Sequence, residues 1–110
     1  MNQEELRQYC LSMPDVTEKM SFPRFNAGKN ILAFYVNSRI FCFFDVEKFD
    51  ECTVKCQPSM IDELKAKYTA IGKPFNFSPK EWIGIRFGGD VDDNELKKLI
   101  ANSYDIVKSE

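Results

Sequence analysis

The chain has 110 residues, 44 % of them hydrophobic and 29 % charged, with no histidine and a formal net charge of −2. That length suits one domain, residues 1–110, with its own core, and that composition excludes disorder, collagen and coiled coil as the main state. The near-neutral charge argues against a strongly basic nucleic-acid-binding protein, and the missing imidazole removes the commonest general base and metal ligand.

In chain order, residues 3–13 read as a helix, with Leu6, Tyr9, Cys10 and Met13 as its apolar stripe and Pro14 as its stop. Residues 18–25, with Met20, Phe22 and Phe25 around Pro23, suit an edge strand or a loop. Residues 26–30 are a turn. Ile31–Val36 and Arg39–Asp45 are β-branched and aromatic runs joined by Asn37-Ser38, which predicts a hairpin with a tight turn. With Val36 opposite Arg39, one face holds Leu32, Phe34, Phe41 and Phe43. The other holds Ile31, Ala33, Tyr35, Ile40, Cys42 and Phe44. Both faces are apolar, so the hairpin is either covered on both sides or offers an apolar surface to a partner.

Residues 51–56 read as a strand with Cys52, Val54 and Cys56 on one side and Thr53 and Lys55 on the other. Pro58 opens a second helix with Met60, Ile61, Leu64 and Tyr68 as its stripe and Gly72 as its end. Residues 73–79 are a loop or ragged strand. Residues 81–87 are a strand, with Ile83, Ile85 and Phe87 on one side and Trp82, Gly84 and Arg86 on the other. After a Gly88-Gly89-Asp90 turn, Asp92 or Asp93 caps a last helix lined by Leu96, Leu99, Ile100, Ser103, Tyr104 and Val107. This order gives an α+β fold, helices packed on a largely antiparallel sheet.

Charge alternates along the chain. Residues 19–44 hold four bases (Lys19, Arg24, Lys29, Arg39) and no acid, and residues 64–89 hold five bases and one acid, Glu81. The three flanking stretches are acidic. If the basic stretches meet in space, one face is positive despite the acidic total. Cys10, Cys42, Cys52 and Cys56 lack C-x-x-C spacing and sit mostly in apolar runs, as buried free thiols do. No signal-peptide pattern opens the chain, and no apolar run approaches the ~20 residues of a membrane span. A cytoplasmic location away from membranes is expected.

Catalysis has little to work with. A cysteine nucleophile has no histidine base, the acidic pairs fall at turns and helix starts, and no phosphate-cradling glycine loop is present. No enzyme activity and no cofactor are expected. Carboxylates for a metal are few on any one face. Binding is better supplied. By strand parity Lys55, Trp82 and Arg86 share a sheet face, Arg39 sits at the hairpin tip, and Lys73 and Lys80 lie in the loop before the last strand. Bases beside an indole suit phosphates and unpaired nucleobases, and equally a protein interface.

These residues carry a family likeness. Residues 4–14 with their closing Pro14, the hairpin with Asn37-Ser38-Arg39, Val54-Lys55-Cys56-Gln57-Pro58, Lys80-Glu81-Trp82 and the last helix with Ser103-Tyr104-Asp105 together resemble the MmcQ/YjbR family. Asn76 and Glu81 stand where family members often carry histidine. The resemblance implies a CyaY-like (frataxin-like) fold with a twisted antiparallel sheet and a double-wing mode of DNA binding. On it, Arg39, Lys55, Lys80 and Trp82 fall at matching positions, and charge and parity add Lys73 and Arg86. Non-enzymatic DNA binding through these six residues is the leading expectation. A protein-interaction module or homodimer using the apolar hairpin is the alternative. Frataxin-like metal binding is a third, although no metal ligands are assigned.

Overall fold

The structure is a computed structural model and describes residues 1–21 and 30–110. Helix α1 (Gln3–Leu11) starts at a reciprocal cap: the Asn2 side chain accepts from the Glu5 N–H at 2.8 Å and Glu5 Oε1 accepts from the Asn2 N–H at 2.9 Å. It stops two residues before the expected Met13. There the Ser12 hydroxyl donates to the Tyr9 carbonyl at 2.6 Å, competing with the next helical turn. Strand β1 (Thr17–Ser21) follows. It stands at the edge of the sheet, as expected for residues 18–21, and the rest of that expectation, with Phe22, Pro23 and Phe25, lies outside the described residues. So do Arg24, Lys29 and all of the 26–30 turn except Asn30.

Strands β2 (Ile31–Val36) and β3 (Arg39–Asp45) form the expected hairpin. Its turn has positive φ at both central residues, Asn37 at 53° and Ser38 at 65°, which matches the twist of the flanking strands. The expected pairing of Val36 with Arg39 holds at the tip and then slips by one residue between Phe34 and Tyr35. This corrects the face assignment. Phe41, Cys42 and Phe44 join Leu32, Phe34 and Val36 on one face, while Phe43 joins Ile31, Ala33, Tyr35 and Ile40 on the other. One extra residue on one strand reverses the parity of everything beyond it.

Strand β4 (Glu51–Lys55) leads to α2 (Pro58–Lys67), which opens on proline as expected. The helix ends at Lys67 rather than near Gly72. Asp90 causes this: its carboxylate accepts from the Thr69 N–H at 2.8 Å and the Ala70 N–H at 2.9 Å, turning the chain into a short strand, β5 (Ile71–Gly72). Strand β6 (Trp82–Arg86) and helix α3 (Asp93–Lys108) complete the fold, with Asp92 as the cap. Among the described residues there are three helices and a six-stranded sheet, order β1-β2-β3-β4-β6-β5, antiparallel throughout.

The helices cover one face. Leu6 and Cys10 of α1, Ile61 and Leu64 of α2, and the whole predicted stripe of α3 are buried there. All four cysteines are free and buried. The Cys42 thiol, hydrogen-bonded to those of Cys10 and Cys52 and fully enclosed, is held well above the usual thiol range. Ser103 makes a particular joint. Its hydroxyl accepts from the Lys55 N–H at 2.8 Å and donates to the Phe41 carbonyl at 2.6 Å, so α3 bonds to β3 and β4 at once.

The opposite face carries a second, smaller apolar layer. Ile31, Ala33 and Phe43 lie under Phe75 and Phe77 from the loop before β6. The hairpin is therefore covered on both sides. Gly84 lets that loop approach: a Cβ there would stand 2.4 Å from the Lys73 carbonyl oxygen.

Candidate functional site

The outer-face residues of β4 and β6 pair in register, Lys55 with Trp82 at one end and Glu51 with Arg86 at the other. Four residue steps along a strand separate those ends by roughly 13 Å. The six sequence-predicted residues therefore do not form one patch.

At the first end, Arg39, Lys55 and Trp82 come together. Arg39 starts β3 beside the hairpin turn and its side chain is 63 % exposed. Lys55 ends β4 with 16 % of its side chain exposed, and its Nζ lies 5.7 Å from the centre of the Trp82 ring. Both cations meet one carboxylate. Arg39 Nη1 is 3.3 Å from Glu110 Oε1, and Lys55 Nζ hydrogen-bonds Glu110 Oε2. Glu81 Oε1 stands 4.0 Å from the same Nζ. Lys55 and, further off, Arg39 hold the Glu110 carboxyl below the usual carboxylate range. The Asn37 side chain donates to the Lys108 carbonyl at 3.2 Å, which pins the hairpin tip to the end of α3. Lys80 is exposed, two residues before Trp82.

Trp82 is not an open platform. It is 9 % exposed and stands edge-on to Phe77, with ring centres 4.6 Å apart. It belongs to the packing under the 73–80 loop and places Lys55 rather than offering a face to a nucleobase.

The second end has a different character. Arg86 is exposed there among acids, opposite Glu51 and near Asp50. Burial and the neighbouring Asp50 push the Glu51 carboxyl up, against the pull of Arg86. A cavity of about 170 Å³ opens beside it, walled by Ile31, Phe43 and Phe75 and rimmed by Asp45, Asp50 and Glu51 with Lys48. That rim repels an anion. Lys73 is exposed at the end of β5, next to Gly84 in the middle of β6.

Sequence reasoning found the cations at the first end and missed their acid. Glu110 lies 55 residues from Lys55 and 71 from Arg39. No local spacing links them; only the length and docking of α3 could have brought it into view. Among the described residues, no three His, Cys, Asp or Glu side chains converge as metal ligands, and no helix is long and apolar enough to cross a membrane.

Solved structures share this architecture. A crystal structure of the Deinococcus radiodurans protein DR2400, described by its DUF419 domain, is 25 % identical and superposes with a TM-score of 0.85 over 97 % of this chain and 78 % of its own. A Pseudomonas syringae protein is 18 % identical. Its crystal structure gives a TM-score of 0.78 over 97 % of this chain and 99 % of that one, and its solution structure gives 0.72 over 97 % and 93 %. No curated protein matches the chain. Residues 11–106 match the YjbR family, and the chain belongs to that family.

Proposed function

We propose that this protein binds nucleic acid through its phosphate backbone, without catalysis, at the end of the sheet where Arg39, Lys55 and Lys80 lie. The supporting observation is the convergence of Arg39 and Lys55 on the two oxygens of one carboxylate. Two cations from separate strands, aimed at a pair of anionic oxygens, suit a phosphodiester equally well. In the double-wing arrangement that the family resemblance implies, the β2–β3 tip beside Arg39 is one of the projections meeting the duplex. Lys73 and Arg86 act as outlying charges. Trp82 acts by holding Lys55 rather than by stacking.

Buried thiols, Cys42 held well above its usual range, make poor nucleophiles and fit a non-enzymatic role in a reducing compartment. The alternative, a protein-interaction module or homodimer using the apolar hairpin, is less favoured here, because Phe75 and Phe77 pack over part of that face.

Fluorescence anisotropy with a labelled 20-base-pair duplex, titrated across salt, tests the reading. Micromolar binding with a log–log salt slope of several units is expected, at about 0.9 per phosphate contact. Arg39→Gln with Lys80→Gln should then flatten the slope by about 1–2 units. Absence of binding at ~50 mM salt, where electrostatic association is strong, sinks the proposal.

A further inference from the structure

We propose that the Glu110 side chain is the resident occupant of this anion seat and holds down its affinity for phosphate until a polyanion displaces it. This inference rests on the nucleic-acid reading above and adds a restraint that the chain applies to itself.

The geometry is that of a substituted ligand rather than a side-by-side ion pair. Glu110 spends one oxygen on each cation, Oε1 on Arg39 and Oε2 on Lys55. It is delivered from behind the sheet by α3, whose end is fixed from two directions. The Glu110 N–H donates to the Val107 carbonyl at 3.2 Å, and the Asn37 side chain bonds the Lys108 carbonyl at 3.2 Å. Lys55 is largely enclosed, so its ammonium needs an anion at that spot; Glu110 supplies one in the absence of a ligand. With Glu81 nearby, two carboxylates face two cations, and the seat is neutral while Glu110 occupies it.

The restraint is tethered but weak. An intramolecular competitor acts at an effective concentration on the order of millimolar, enough to keep single phosphates out. Glu110 and Arg39 remain partly in solvent, where such pairs are screened and cost little to break. A duplex offering several phosphates at once can displace the carboxylate, which then swings into water.

The test is Glu110→Gln in the full chain, measured with the same duplex and salt series. Glu63→Gln serves as the control, because it removes the same charge from the exposed side of α2. Thermal melting checks that each variant is folded. Glu110→Gln should tighten binding by about three- to tenfold at ~50 mM salt and steepen the slope by about 1–2 units, while Glu63→Gln stays within about 1.5-fold of the parent. Should Glu110→Gln melt early, Glu110→Asp, whose arm is shorter by one methylene, should shift affinity the same way by a smaller factor. Equal tightening by Glu110→Gln and Glu63→Gln, or none by either, overturns the inference and leaves the nucleic-acid reading standing. Loss of binding by every form, the parent included, overturns both.

Discussion

The two faces of the sheet are built on different scales. The helix-covered face joins residues from all three helices and five strands into one large core, and most of its side chains are almost completely buried. The opposite face has three buried residues, Ile31, Ala33 and Phe43, roofed by Phe75 and Phe77 from a single loop. Burial scales with the area removed from water, so the first face carries the stability. The second carries enough apolar cover to seal the hairpin and seat Trp82. The candidate site stands where the thin layer ends. Lys55 leans on a packed indole, while the strands that carry it and Arg39 are held from behind by α3.

Truncations on the two faces measure that contrast. Ile83→Ala, in β6 on the helix side and fully enclosed, should cost about 2–5 kcal/mol in urea unfolding, the range for emptying an aliphatic side chain from a closed core. Gly84→Ala, one residue on and facing the other way, should cost about 1–3 kcal/mol, because its methyl group meets the rigid Lys73 carbonyl. Phe77→Ala should cost less than Ile83→Ala despite the larger group removed, about 1–2 kcal/mol, since Phe77 is only half-buried. It should also shift the emission of the lone Trp82 to the red as water reaches the ring. If Phe77→Ala costs as much as Ile83→Ala, the outer layer is a second core and the contrast fails.

The smallest expected effect is on pH dependence. Arg7, hydrogen-bonded to Glu18 at 2.7 and 2.8 Å, ties α1 to β1 and holds the Glu18 carboxyl low. Backbone N–H groups of Thr69 and Ala70 do the same for Asp90. A lowered native pKa means the unfolded chain binds more protons. The stability these groups contribute is therefore complete above the unfolded carboxylate range and is lost as pH falls through their lower native values. Melting temperature should drop below about pH 4.5, and Glu18→Gln should shrink that drop by the equivalent of about 1 kcal/mol or less, as for a solvent-screened pair.

Much of the fold was legible because its signals are local. The α3 stripe, Pro58 at the start of α2, the Asp92 cap and the hairpin turn each depend on a few neighbouring residues, and each falls where the spacing puts it. Three features were not legible, for the same reason. The slip at Phe34/Tyr35 hides where Ile31–Val36 faces Ile40–Phe44, a stretch with no charged residue to betray a change of face. The early end of α2 is imposed by Asp90, about 20 residues downstream. The partner of Arg39 and Lys55 arrives on the far end of another helix. Single residues announced the cations, and only tertiary structure supplied what neutralises them.

The Ser103 hydroxyl has a consequence for how the molecule opens. Phe41 and Lys55 stand next in line after the Cys42–Val54 pair, where a further rung between β3 and β4 would fall. A helical side chain fills that rung instead, wedged between the two strands. The fork at this end of the sheet is thus clamped by α3 rather than by the ladder. Exchange of the Lys55 amide proton should follow the lifting of the helix, and the strands should unzip from the end that bears Arg39 and Lys55. Along the β3–β4 seam, Arg39 and Lys55 would part first and rejoin last, while β2 and β6 still hold each of them by its other edge.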